Sequence, residues 1–238
     1  MRSVDSFSIG SVLKSGLSIY FRNFPLFGLL SIIAFVPYLV FRIWAPDNID
    51  PFSAYALVDA LLGIICITLV QGGLTFAVVS SLRGSAAVDL WSVSARSLAV
   101  LPRIVAVSVL MSILILIGIV LLIVPGIIVT LMLFVAVPAS VMEGGVVKAL
   151  KRSAALTKGH KGALFGLSIV LGIPMQAVAV LMVLTVVPQL GQAAGAIVDL
   201  GLQCFFGGIV GACGAVAYHD LRIVKEGVDT DSIAAAFD

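Results

Sequence analysis

The feature that most constrains this chain is an apolar stretch over residues 104–142, which contains no charged side chain. As a single helix it would be about 58 Å long, nearly twice the roughly 30 Å hydrocarbon core of a bilayer. The stretch must therefore fold back on itself. Pro125-Gly126 lies near its centre. Because proline cannot continue the helical ladder and glycine permits a turn, we predict a tight helical hairpin there.

The remaining apolar segments place the whole chain in a membrane. Of its 238 residues, 61% are hydrophobic and 11% are charged, whereas soluble domains are about half apolar and about a quarter charged. Backbone polar groups must pair internally within a bilayer, which favours helices. We therefore predict an all-α polytopic protein with one integral membrane domain over residues 1–238. Its six transmembrane helices are predicted at about 24–41, 55–79, 104–124, 126–142, 162–187 and 193–218.

The basic residues predict the orientation. With six spans, thirteen of the fourteen Lys and Arg residues fall on one side, and Arg42 alone falls on the other. Because positively charged loops are retained in the cytoplasm, we predict that both termini are cytoplasmic. The turns predicted on the outer side are short, so an external enzyme or receptor domain is not expected.

Three segments share a pattern that suggests an internal repeat. Residues 12–24, 90–104 and 146–164 each carry a basic residue followed by serine, then further basic residues, and each leads into two spans. An amphipathic basic helix of this kind is expected to lie in the membrane plane. The prediction is three hairpins, each preceded by a basic interfacial helix. The alternative is that any segment entering a membrane from the cytoplasm tends to be basic and amphipathic.

The second half of the chain carries three motifs that point to a family. They are Pro125-Gly126-Ile127, the segment from Glu143 to Gly159 with Ala149-Leu150-Lys151-Arg152-Ser153, and the segment AYHDLRIVKEG at 217–227. Together they resemble the YciC-like bacterial integral membrane proteins and the membrane domain attached to some glycerophosphoryl diester phosphodiesterases. The resemblance implies an inner-membrane protein without an assigned activity. The family pattern has an arginine shortly after proline-glycine, and this chain has none there.

A basic cluster around the third repeated segment is the first candidate site. Anionic lipid headgroups attract such residues by about 1 kcal/mol each. The alternative is that the cluster serves only as a topology signal. Glu143, which precedes the cluster, is expected to form a structural ion pair with Lys151 or Arg152, or to cap the helix that follows. The candidate headgroup ligands are Lys148, Lys151, Arg152, Lys158 and Lys161.

Two further candidates lie within the spans. Asp199 falls inside the sixth span, where an ionisable side chain is costly and often functional. We expect it to contribute to structural pairing, and an Arg42–Asp199 or Arg42–Asp59 ion pair would act as a clamp. Gly207 and Gly211 form a GxxxG pattern that permits close helix packing, either within the chain or between copies.

These features predict a structural or accessory protein of the envelope, or a partner of a membrane complex. The chain has no nucleophile–base triad, phosphate loop or dinucleotide motif, so catalysis, cofactors and bound metal are not expected. The expected partners are anionic lipids, with another membrane protein or a second copy left open, and no nucleic acid. A transporter or channel for a small solute or a lipid is the alternative.

Overall fold

A computed structural model describes residues 7–44, 53–82 and 90–226, and this part of the chain is helical without any strand. The helices in chain order are α1 (Ile9–Arg22), α2 (Phe24–Trp44), α3 (Ala54–Leu82), α4 (Leu90–Leu121), α5 (Ile123–Met132), α6 (Ala136–Glu143), α7 (Val146–Thr157), α8 (Lys161–Thr185) and α9 (Val187–Glu226).

Within the described residues, six stretches are long and apolar enough to cross a membrane, which confirms the predicted all-α polytopic fold. They are Phe24–Trp44, Ala54–Val79, Ala99–Leu121, Ile123–Glu143, Lys161–Met182 and Ala194–Glu226. Helix α9 is longer than the predicted sixth span and has 40 residues. At 1.5 Å per residue it is about 60 Å long and extends well beyond a hydrocarbon core of roughly 30 Å.

The break between α4 and α5 lies at Leu122 and not at Pro125-Gly126 as predicted. Leu122 is extended, with φ −168° and ψ 145°. Pro125 lies in the first turn of α5, where proline is tolerated because its missing N–H would have no partner in the helix. Gly126 instead allows α4 and α5 to pack closely, since a Cβ at this position would lie 2.9 Å from Ile119 Cα.

The fourth span is broken, although a single helix was predicted over residues 126–142. A turn at residues 133–135 separates α5 from α6. Pro138 provides a physical reason, because it has no N–H to offer the carbonyl of Phe134 and its ring would clash with that carbonyl in a continuous helix. The span therefore consists of two short helices with an irregular segment between them.

Helices α3 and α9 form the centre of the bundle. They run side by side, with Ile67 against Gly207 and Leu74 against Gly211. Leu74 and the α9 residue Val216 are fully buried. Glycine at these α9 positions lets the two helices approach, because a Cβ at position 211 would lie 2.9 Å from a Leu74 methyl carbon. The predicted GxxxG face is thus used for packing within the chain.

The three predicted interfacial segments differ from one another in the structure. The first segment forms α1, which follows α9 in the opposite direction, with Gly16 against Cys213 and Tyr20 against Gly208. It is therefore aligned along α9, because its buried face matches the small residues of α9. The second segment belongs to α4, which continues through Pro102 into the third span. The third forms α7, which like α1 is a separate helix before its span.

Candidate functional site

The candidate site lies at the end of the bundle where α6 meets α7 and where α9 ends, which we call the basic end. Gly144 and Gly145 connect α6 to α7, with φ of +79° and +75°. Residues with a side chain rarely adopt a positive φ, so two successive glycines permit the sharp reversal of the chain. The reversal places α7 directly after the fourth span and against it.

The buried face of α7 is joined to the break in the fourth span. Ala149, Ser153 and Leu156 are almost completely buried. The Ser153 hydroxyl donates to the Met132 carbonyl at 2.8 Å. The Thr157 hydroxyl donates to the Ser153 carbonyl at 2.9 Å and lies 3.3 Å from the Met132 oxygen. Met132 is the last residue of α5, so the break would otherwise leave its carbonyl without a helical partner. The Ser153 hydroxyl therefore stabilises the irregular segment, as buried backbone polar groups require.

An ionic network links α6, α7 and α9. Arg152 Nε donates to Glu143 Oε1 at 2.8 Å, and Arg152 Nη2 donates to Glu226 Oε1. The Tyr218 hydroxyl donates to Glu143 Oε1 at 2.7 Å, and Arg222 Nε donates to Glu226 Oε2 at 2.9 Å. Burial lowers the pKa of Arg152, but the bonds to Glu143 and Glu226 more than offset burial and raise that pKa, so the guanidinium stays charged. The network joins three elements far apart in sequence.

The network pairs the charge of Arg152, one of the predicted headgroup ligands, within the protein. Its side chain is 24% exposed and its charge faces two carboxylates. The structure brings Glu143 to Arg152 and not to Lys151. Glu143 thus forms an ion pair, one of the two structural roles expected for it.

Two lysines of α7 and the residue that follows the helix form an exposed stripe, defined as Lys148, Lys151 and Lys158. All three side chains are exposed. The spacing of Lys148 and Lys151 places them on one side of α7, opposite Ser153, and Lys158 directly follows Thr157, the last residue of the helix. Among the described residues, none of the three forms an ion pair. Lys161, the first residue of α8, is half-buried.

The predicted charged residues at the opposite end of the bundle form two neighbouring pairs. Arg42 Nη1 lies 3.4 Å from Asp59 Oδ1. Asp199 accepts a hydrogen bond from Gln203 Nε2 at 2.8 Å, a partner one helical turn away that was not among those expected for it. Tyr38 lies beside the first pair, with its ring centroid 6.0 Å from Arg42 Cζ.

Sequence reasoning missed the residues that complete both clusters. Tyr218 and Glu226 belong to one of the motifs that carry the family resemblance, but their contact with Glu143 and Arg152 required the fold. The contact between Asp199 and Gln203 could have been predicted, since a polar residue four positions after Asp199 lies on the same helix face.

Comparison with known proteins found no match to this chain among family models, curated proteins or solved structures.

Proposed function

We propose that this chain is a structural or accessory protein of the bacterial inner membrane that holds anionic lipid headgroups at its basic end. The observation that carries the proposal is the lysine stripe of α7. The opposite face of α7 contacts the fourth span, where the hydroxyls of Ser153 and Thr157 lie within hydrogen-bonding distance of the Met132 carbonyl. A fastened basic helix presents its charges at a constant position relative to the membrane surface, which suits headgroup binding better than a free loop would.

Electrostatics supports anionic headgroups as the partner. A lysine near an anionic membrane surface contributes about 1 kcal/mol, so the three stripe lysines together contribute about 3 kcal/mol. The charge of Arg152 is paired with Glu143 and Glu226, and these ion pairs stabilise the position of α7, which carries the lysines. The proposed headgroup ligands are therefore Lys148, Lys151 and Lys158, with Lys161 at the end of the stripe.

The proposed orientation places the basic end and both termini in the cytoplasm. The basic residues support it, because thirteen of the fourteen Lys and Arg residues fall on one side of the predicted spans. The resemblance of the second half to YciC-like proteins supports an inner-membrane location. A second membrane protein or a second copy remains open as a partner.

A transporter for a small solute or a lipid is the second candidate function. The broken fourth span favours it, because transporters often build their sites from discontinuous helices. Uptake of a solute, or flipping of a labelled lipid, by liposomes reconstituted with this chain but not by empty liposomes would favour this candidate over the accessory role.

Neutralising two stripe lysines is expected to weaken binding of anionic lipid. Lys151→Gln combined with Lys158→Gln should reduce phosphatidylglycerol affinity roughly 30-fold, corresponding to about 2 kcal/mol. Native mass spectrometry of the detergent-solubilised protein would count bound phosphatidylglycerol against phosphatidylcholine. The matched control is Lys14→Gln with Lys225→Gln, two exposed lysines outside the stripe. Equal loss in the two double variants, or no loss in either, would contradict a specific role for the stripe.

Cysteine labelling tests the orientation. The native cysteines Cys66, Cys204 and Cys213 are buried, so background labelling should be low. In spheroplasts, a membrane-impermeant maleimide is expected to label Gln189→Cys and to leave Lys158→Cys unlabelled until the membrane is permeabilised. The opposite pattern would show that the basic end faces outward and would remove the cytoplasmic-headgroup proposal.

A further inference from the structure

A cavity of about 190 Å³ lies beside the break in the fourth span. It is lined by residues from α3, α4, α5, α6 and α9, so four of the six candidate spans contribute to it. It is separate from the lysine stripe, none of whose residues lines it. The irregular segment at 133–135 contributes Phe134, so the break helps to create the space.

The cavity has a buried end and an exposed side. Thr75, Gly211 and Gly214 are buried, whereas Thr130 is exposed on the surface of α5. All four lie within candidate membrane spans. A molecule could therefore enter sideways from the hydrocarbon region of the bilayer, past Thr130.

The polar groups in the lining favour a hydrogen-bond donor as guest. The Thr75 hydroxyl donates to the Gln71 carbonyl at 2.7 Å, and the Thr130 hydroxyl donates to the Gly126 carbonyl at 2.9 Å. Each hydroxyl has already used its single proton, so its oxygen can only accept a further hydrogen bond. The Gln71 amide also lines the cavity and can both donate and accept.

The remaining lining excludes charged guests. Met111, Ile115, Phe134 and Val210 are apolar, and no charged residue is among the residues that line the cavity. An ion in such surroundings would lose its hydration without a compensating charge, which is strongly unfavourable. The volume is of the same order as an apolar cavity of roughly 150 Å³ that binds benzene in another protein. It therefore suits one small molecule or one segment of a chain.

We propose that this cavity binds the hydroxyl-bearing end of one uncharged, mainly apolar molecule that partitions into the bilayer, such as a long-chain alcohol or a neutral lipid with a free hydroxyl. The apolar part packs against Met111, Ile115 and Phe134. The hydroxyl donates to Thr130 or Thr75 and accepts from the Gln71 amide. This assignment does not depend on the headgroup proposal, because the two sites share no residue.

Gly214 offers a way to fill the cavity without disturbing the fold. A Cβ at this position would meet no atom within 4 Å, although the residue is buried. A leucine side chain at 214 would therefore occupy the cavity. Gly201 is the matched control, since it lies on the same helix, is exposed, and also has nothing within 4 Å of an added Cβ. Both substitutions replace a helical glycine with leucine.

The test uses a photoreactive analogue of 1-octanol that carries a diazirine, followed by mapping of the labelled peptides by mass spectrometry. The full chain in detergent micelles is expected to be labelled on α5, α6 or α9 around the cavity, in competition with unlabelled 1-octanol. Gly214→Leu should abolish this labelling, and Gly201→Leu should retain it. Labelling that is unchanged in Gly214→Leu, or spread evenly over the lipid-facing surfaces, would overturn the proposal.

A second variant keeps the proposal testable if Gly214→Leu does not fold. Thr130→Val preserves the shape of the side chain and removes the accepting oxygen. It should weaken octanol labelling about fivefold, the effect of one hydrogen bond, and leave labelling by the corresponding photoreactive octane unchanged. Equal losses for octanol and octane, or no loss for octanol in either Thr130→Val or Thr75→Val, would show that the cavity does not recognise a hydroxyl. Labelling by octanoate as strong as that by octanol would contradict the exclusion of charge.

Discussion

Replacing Gly126 with valine is expected to lower the free energy of unfolding by about 3 kcal/mol, at the upper end of the usual cost of overpacking. A Cβ at this position would lie 2.8 Å from Ile119 N and 2.9 Å from Ile119 Cα. Both are backbone atoms of α4, so no side chain can move aside to make room. We expect a similar loss of stability from a substitution at Gly118, which faces Gly126 from α4, because a Cβ at Gly118 would lie 2.9 Å from Gly126 Cα. The two helices would have to separate.

Thermal unfolding in detergent, followed by circular dichroism, measures this effect. The matched control is Gly172→Val in α8, where an added Cβ meets nothing within 4 Å. Both variants place a β-branched residue in an apolar helix, so the difference between them reports the helix contact alone. If Gly126→Val and Gly172→Val unfolded at the same midpoint, close packing of α4 on α5 would not be an important source of stability.

Replacing Arg152 with alanine is expected to destabilise the protein by about 2 kcal/mol. Breaking a fully buried ion pair costs roughly 3–5 kcal/mol, and the Arg152 side chain is 24% exposed, so solvent screening reduces the effect. Its loss leaves Glu143 without a cation and Glu226 with Arg222 alone. Arg152→Lys should recover only part of the stability, because a lysine cannot present the rigid fork with which arginine bridges two carboxylates.

The neighbouring Lys151 provides the control for this prediction. It is exposed on the same helix, so Lys151→Ala should change stability by less than about 0.5 kcal/mol. Combining Arg152→Ala with Glu143→Gln should cost less than the sum of the single substitutions, because the second removes the charge that the first leaves unpaired. Equal unfolding midpoints for Arg152→Ala and Lys151→Ala would indicate that the network contributes little to folding.

Two features show why parts of the fold could be predicted and others could not. The ion pair of Glu143 was predictable because Arg152 lies only nine residues away, in the helix that the basic pattern indicates. The second bond of Arg152 spans 74 residues to Glu226. Charge pattern along the chain cannot select that partner among the other acidic residues.

Proline alone did not indicate which span would break. Pro37, Pro102 and Pro174 lie inside continuous helices, whereas Pro138 follows the interruption in the fourth span. In that span, the Ser153 hydroxyl of α7 donates to the Met132 carbonyl that the interruption exposes. The cost of a helix break depends on whether a partner is available for the freed backbone group, and only the packed structure supplies that partner.

The sequence by itself therefore determined the six apolar helices, because each hydrocarbon crossing requires about 20 apolar residues and an internally paired backbone. It also indicated a basic segment over residues 146–164 and a hairpin between the third and fourth spans. The tertiary structure decided the position of the breaks, the alignment of α1 along α9, the pairing of Arg152 with Glu226 and the cavity beside Phe134. These features depend on contacts between distant residues, and apolar periodicity does not specify which faces will meet.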